Sequence, residues 1–289
     1  MLYQRLQQNS RLELHCPAEL ISIEQKADRT VALIKQDKQE TSVSARLLVA
    51  ADGVVSQVRE LLHIGSSSQD YGQSAVIANV TPGYRHNNIA YERFTDQGPI
   101  AFLPMTANRC SVVWTVPAEQ ADTLMALGDE EFLQQLQQRF GFRLGYLQKT
   151  GKRQLYPLRL IETTQVVRDR VVIVGNAAHS IHPVAGQGFN LALRDIAILA
   201  ELIAASSDPG DSSTLQTYVE RREDDARRVY RFTDGLVKIF SNNNAPLGHL
   251  RAAGLVAVGL VAPLRHQLAR QSMGLSGRAS ALGRRSVNG

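Results

Sequence analysis

Two stretches of this sequence combine residue types that can hold a ligand and act on it. The first is Ala51-Asp-Gly-Val-Val-Ser-Gln-Val-Arg59. It sets the Asp52 carboxylate and Gly53 at the end of an apolar run, with Ser56 spaced to cap a helix and Arg59 one turn into it. Ligands bind at strand ends in α/β sheets, although Asp-Gly alone also describes an ordinary turn. The second stretch is Val171-Val-Ile-Val-Gly-Asn-Ala-Ala-His-Ser-Ile-His-Pro-Val-Ala-Gly-Gln-Gly-Phe-Asn-Leu-Ala-Leu-Arg-Asp195. Gly186 and Gly188 stand just ahead of a helical pattern, where backbone N–H groups lack intrahelical partners. Such a terminus attracts an anion or an electron-rich carbonyl, and glycine lets the ligand approach the backbone closely. His179 and His182 add two groups that exchange protons near neutral pH, or that merely bond backbone.

The elements that must position these residues follow from periodicity. Residues 171–174 are β-branched without interruption, which suits a strand covered on both faces. Gly175 ends it, and Pro183 argues against helix in the loop. From Phe189 the apolar residues Ala192, Leu193, Ile196, Leu199, Ala200 and Ile203 fall at helical spacing and predict a helix buried on that face. Residues 47–51 predict a second short buried strand, ending at Asp52.

Elsewhere, residues 1–8 read as the end of a helix stopped by Asn9. Residues 12–16, 20–24 and 30–35 read as a small antiparallel meander, and 36–40 as a polar hairpin connection. Four β-prone runs, 75–80, 89–94, 100–104 and 110–116, have no helix between them and imply an antiparallel sheet. Residues 129–142 form an amphipathic helix with Phe132, Leu133, Leu136 and Phe140 on one face, and 152–160 a strand interrupted at Pro157. Residues 206–213 read as an exposed linker, and 215–240 as a charged helix whose 220–228 run is a solvated, ion-paired face. Residues 247–268 are apolar and rich in small side chains, and a polar, arginine-bearing tail starts at Gln271.

At 289 residues, with 44% hydrophobic and 20% charged side chains, the chain has enough apolar material for one large or two moderate domains. A net charge of +5 without a dense basic tract argues against nucleic acid and leaves an anionic membrane surface open. Two cysteines, Cys16 and Cys110, make neither a disulfide framework nor a metal cluster, so the cytoplasm is the expected compartment. No signal peptide is visible, and the longest apolar stretch, 252–264, is too short to span a bilayer.

Together, and in this order with a β-rich segment between, the two stretches resemble the flavoprotein aromatic hydroxylase family of the p-hydroxybenzoate hydroxylase fold. Its ubiquinone-biosynthesis branch is similar also at Ala75-Val-Ile-Ala-Asn-Val80, Glu92-Arg-Phe-Thr95, Gly98-Pro-Ile-Ala-Phe-Leu-Pro-Met105, Arg109-Cys-Ser-Val-Val-Trp114, Lys152-Arg and Tyr156-Pro-Leu158. The resemblance implies a mixed α/β (α+β) fold: an FAD-binding Rossmann-like domain over 1–70 and 155–205, an inserted antiparallel substrate sheet over 71–154, and C-terminal helices over 206–289. It also implies a strand–GxGxxG–helix unit of about 30 residues, for which nothing before Leu12 leaves room. The expectation is therefore an N-terminally truncated chain with an incomplete FAD-binding domain.

By resemblance, the activity is hydroxylation of a polyprenylated phenol in ubiquinone biosynthesis, with FAD as cofactor, NAD(P)H as reductant and O2 as oxidant. Asp52, Gly53, Arg59, Gly175 and Asn176 would serve the ribityl–phosphate side of FAD. Asn176 replaces the family's usual Asp and keeps the capacity to bond a hydroxyl. Gly186, Gln187, Gly188, Phe189 and Asn190 would present backbone donors to the flavin ring, with Pro183 beside it. His182, or His179, would act as general base towards the phenol; no metal is called for. Peripheral contact with the inner face of the membrane, through residues 247–268, and quinone-biosynthesis proteins are the expected partners, a buried helix being the other reading of 247–268. The rival readings are a non-catalytic fragment or accessory subunit of a quinone-biosynthesis assembly, and a flavin hydroxylase with another aromatic substrate.

Overall fold

The structure is a computed structural model that describes residues 2–181, 187–240, 260–263 and 266. A short helix, α1 (Leu2–Gln7), precedes an antiparallel meander of β1 (Glu19–Gln25), β2 (Thr30–Gln36) and β3 (Gln39–Ala45). Residues 12–16, expected as a strand of that meander, are irregular. The third strand comes from Gln39–Ala45 instead, because Asp37 and Lys38 both take positive φ (48° and 73°) and reverse the chain in two residues. Nearly all of β3 is solvent-exposed, so its residues carry no apolar alternation to announce it.

The largest sheet is mixed in origin but antiparallel throughout. Its order is β13-β10-β5-β8-β7-β6, with β9 on the far end of β5. The strands are β5 (Ser66–Pro82), β6 (Tyr91–Thr95), β7 (Gly98–Met105), β8 (Arg109–Pro117), β9 (Leu147–Thr150), β10 (Gln154–Thr163) and β13 (His179–Ser180). Helices α3 (Ala118–Ala126) and α4 (Asp129–Phe140) cover one face. Phe132, Leu136 and Phe140 of α4 pack there with Phe102, Val112 and Trp114 of the sheet, as the amphipathic spacing required. Trp114 meets Phe132 at 5.7 Å and Phe102 meets Phe140 at 4.0 Å between ring centroids. Pro157 does not interrupt β10; it stays in register opposite Ser74. β13 pairs only with Ile161 and Glu162, so at Pro157 one side of β10 is an edge where a missing N–H breaks no ladder bond.

A third sheet, in the order β11-β12-β4, joins β11 (Val167–Arg168), β12 (Val171–Ile173) and β4 (Leu48–Ala50). β12 is wholly buried, as its unbroken apolar run predicts. Val171 and Ile173 face Ala50, Val58, Leu62 and Ile64, while Val172 faces Leu199, Leu215 and Tyr218. β4 is less covered than expected: Val49 is exposed.

Two long helices complete the described chain: α5 (Gln187–Ala205), which starts two residues earlier than the periodicity suggested, and α6 (Ser212–Phe240). Residues 206–211 between them are not a loose linker. Arg170 holds Asp208 through two hydrogen bonds of 2.9 and 2.8 Å, and Gly210 is buried against the Arg46 carbonyl. No helix among the described residues is long and apolar enough to cross a membrane. The stretch 247–268 lies outside the described residues apart from 260–263 and 266, as does the tail from Gln271.

Candidate functional site

The two motifs singled out in the sequence meet at one sheet edge. β4 and β12 are parallel neighbours with Ala50 opposite Ile173, and the Val174 N–H donates to the Ala50 carbonyl at 2.9 Å. Both strands end there, so Asp52-Gly53 and Gly175-Asn176 leave the sheet side by side at its carboxyl end. Gly53 (φ +84°) and Gly175 (φ +62°) make the left-handed turns that carry the chain out, and a Cβ on either would meet nothing within 4 Å. Among the described residues nothing fills the space a side chain would take at either turn.

Asp52 is fixed, not free-swinging. Its Oδ2 accepts from the Val58 N–H at 2.9 Å, and Ser56 Oγ accepts from the Arg59 N–H at 3.2 Å. Both bonds satisfy otherwise unpaired donors at the start of α2 (Gln57–Leu61); the Ser56 cap is the one the spacing predicts. Arg59 is buried, and its guanidinium donates to the Val54 carbonyl. It braces the turn after Gly53 from within.

Gly175–Ala177 form one turn of 3-10 helix with Asn176 exposed beside Asp52's turn. The chain then re-enters the core at β13, and His179 is almost completely buried there. His179 is not a loop histidine open to substrate. Arg222 of α6 donates from Nη2 to its Nδ1 at 3.1 Å and from Nε to Asp195 Oδ2 of α5 at 3.1 Å. Accepting at Nδ1 places the imidazole proton on Nε2, which has no partner among the described residues. Burial first, and the Arg222 charge second, push the His179 pKa down to about 3, so the ring is neutral. Burial raises Asp195 to about 6 against the pull of Arg222, leaving the carboxylate ionised at pH 7. Burial disfavours the Arg222 cation, yet Asp195, Tyr218 and Tyr230 outweigh it and keep the guanidinium charged. One guanidinium thus ties β13, α5 and α6 together.

α5 begins at Gln187, so Gly188 lies inside its first turn and not ahead of the helix. A Cβ at Gly188 would stand 3.4 Å from Ile181, which lets α5 pack closely on the segment leaving β13. The buried row of α5 is Gln187, Leu191, Asp195 and Leu199. The face expected to be buried is only partly so: Leu199 is buried and Ala192 and Ile203 half-buried, while Phe189 is 73%, Leu193 48% and Ile196 46% exposed. Arg222 decides this rotation by drawing Asp195 inward, with Leu191 and Leu199 following at helical spacing. Asn190 is half-buried. His182, Pro183 and Gly186 lie outside the described residues.

The network itself escaped the sequence reading, which assigned Arg222 to a solvated face. The signal was present: Tyr218, Arg222, Ala226, Val229 and Thr233 form one row at helical spacing, and all are buried. A charged residue on such a row needs a buried partner, and Asp195 on the row of α5 supplies it.

Residues 1–233 match the FAD binding domain family. The ubiquinone hydroxylase UbiL of Rhodospirillum rubrum is 40% identical over 265 residues, 90% of this chain and 61% of that protein. The chain thus spans about three fifths of the length of that relative. The 3-demethoxyubiquinol 3-hydroxylase of Escherichia coli is 30% identical over 278 residues, 95% of this chain and 70% of that protein. Among solved structures, p-nitrophenol 4-monooxygenase PnpA from Pseudomonas putida superposes with a TM-score of 0.78 at 17% identity, covering 96% of this chain and 71% of that one. That likeness carries the fold alone.

Proposed function

The chain belongs to the FAD binding domain family, and from that premise we propose that it serves an FAD-dependent monooxygenase that hydroxylates a polyprenylated phenol in ubiquinone biosynthesis. The observation that carries this reading is the convergence of Asp52-Gly53 and Gly175-Asn176 at the carboxyl ends of two parallel strands. Names of relatives at 30–40% identity support the substrate class.

The residues present fit FAD. Two positive-φ glycines leave open space for an elongated cofactor, and the exposed Asn176 amide and Asp52 carboxylate offer a donor and acceptors to ribityl hydroxyls. The first turn of α5, at Gly188 and Phe189, offers the positive end of a helix dipole to an electron-rich ring edge. Bound FAD would supply the chemistry this scaffold lacks, taking reducing equivalents from NAD(P)H and activating O2. The chain's own tasks are then to orient the ring and exclude water, with residues 71–154 centred on the substrate side. His179 takes no direct part in proton transfer, because Arg222 occupies its Nδ1. The roles proposed for His182 and Pro183, which lie outside the described residues, rest on the family resemblance.

The test is direct. The chain is mixed with FAD, desalted, and its visible flavin absorbance recorded; retention is expected, with at least a tenfold weaker Kd for Asp52→Ala, the loss of a charge-assisted contact (~1.4 kcal/mol). Loaded protein given NAD(P)H and a prenylated phenol should add one oxygen atom to the ring, read by mass spectrometry. No retained flavin would favour the non-catalytic fragment, and Asp52→Ala binding as tightly as the parent would overturn the placement of Asp52.

A further inference from the structure

Away from the cofactor edge, the far end of the large sheet presents a second surface that the flavin chemistry does not use. Tyr84 is 66%, Phe142 60% and Tyr146 75% exposed, the most open aromatic group on the sheet domain. They are contiguous. Phe142 and Tyr146 meet edge to face at 5.2 Å, and the Tyr84 ring lies against Gly145, where an added Cβ would stand 3.1 Å from it. Tyr146's backbone in turn lies against Gly83, within 2.8 Å of where a Cβ would be. Large aromatic side chains held together in water mark an interaction surface.

The surface is also built rigidly. The Tyr84 N–H donates to the Leu144 carbonyl at 2.9 Å, stitching the two segments together. His86 is buried beneath, with Nε2 on the Met105 carbonyl at 2.9 Å and its N–H on Asn108 Oδ1 at 3.3 Å. Gln137 of α4 clasps the other segment from Gly141 to Leu147 through its amide. Exposure here is a held conformation, not a loose loop.

The charge around the aromatics is predominantly positive. Residues 83–91 and 141–152 contain no Asp or Glu, and they carry Arg85, Arg143, Lys149 and Lys152. Arg85, Arg143 and Lys149 are exposed. One exposed acid, Glu92, directly follows the first run; beyond it, Asp96 pairs with Arg139 and Asp129 with Arg153. Tyrosine and phenylalanine at the level of lipid headgroups, with arginine and lysine beside them, is the side-chain chemistry that seats a protein on an anionic bilayer. We infer that the Tyr84–Phe142–Tyr146 surface, with Arg85 and Arg143, docks this protein on an anionic phospholipid membrane. A basic, aromatic and preorganised face matches a lipid surface better than an acidic protein groove, since the three rings are presented outward together and need no pocket.

The test needs no flavin, so it stands or falls apart from the function proposed above. The 289-residue chain is sedimented with vesicles of phosphatidylcholine, with and without one third phosphatidylglycerol. Binding to the anionic vesicles only is expected. The triple variant Tyr84→Ser, Phe142→Ser, Tyr146→Ser and the double variant Arg85→Gln, Arg143→Gln should each lower the partition coefficient about tenfold or more. Circular dichroism checks that both remain folded. A second reporter does not depend on loss of binding: Phe142→Trp should show a blue-shifted emission and quenching by brominated lipid, while Trp114 is buried and unchanged. Equal binding by parent and folded variants, no preference for anionic vesicles, or an unshifted Phe142→Trp emission would overturn the inference. So would cross-linking that traps a dimer through these aromatics in the absence of lipid, which would assign the face to a second copy.

Discussion

Replacing His179 by Asn should change how stability depends on pH, by an amount the structure sets. A histidine in the unfolded chain titrates at 6.5, whereas burial and Arg222 hold the folded ring's pKa down to about 3. Its folded pKa is depressed, so on acidification the unfolded state takes the proton first. The stability this residue supports is complete above pH 6.5 and is lost as pH falls towards 3. Between pH 7 and pH 5 the unfolded imidazole goes from about a quarter protonated to almost fully so, which removes about 2 kcal/mol. Asp195 opposes this: burial raises its folded pKa to about 6 from 3.8, so protonation in the folded state returns about 1 kcal/mol over the same range. The parent alone would therefore show little slope, and the difference between parent and His179→Asn is the quantity to measure. Urea unfolding followed by circular dichroism at pH 7 and pH 5 gives it. The parent's margin over the variant should shrink by about 2 kcal/mol from pH 7 to pH 5. A margin that stays constant or widens would refute a neutral, buried His179.

Three further substitutions probe the same framework. Arg222→Met should destabilise the chain by about 3 kcal/mol or more at pH 7, because it leaves the Asp195 carboxylate buried without its ion pair. Pairing it with Asp195→Leu should recover part of that loss in the same urea titration. Gly210→Ala should cost at least about 3 kcal/mol, since the new Cβ would fall 1.9 Å from the Arg46 carbonyl oxygen; a variant melting at the parent temperature would contradict the packing of that turn. Ser56→Ala removes the acceptor for the Arg59 N–H and should cost about 1 kcal/mol, measured by thermal unfolding, with Ser56→Asp close to neutral.

Much of the site was legible in order of residues alone. An apolar run, a carboxylate and a glycine, then a capping serine, define a strand end and helix start without reference to anything distant, and the structure supplies the Asp52 and Ser56 bonds to α2. The buried Val171–Ile173 strand, the left-handed Gly175 and the amphipathic α4 were readable for the same reason: each depends on steric preference or periodicity within a few residues. The β3 strand was not, because its exposed polar side chains leave no pattern, and Pro157 misled because only the neighbouring strand reveals that its position is an edge. What tertiary structure alone decided was which way α5 faces. Its sequence holds two overlapping rows at helical spacing that share Leu199, one carrying Phe189, Leu193 and Ile196, the other Leu191 and Asp195. Hydrophobicity favours the first, but a guanidinium 27 residues away, buried on α6, pairs with the Asp195 carboxylate, and an unpaired buried charge outweighs the exposure of three apolar side chains.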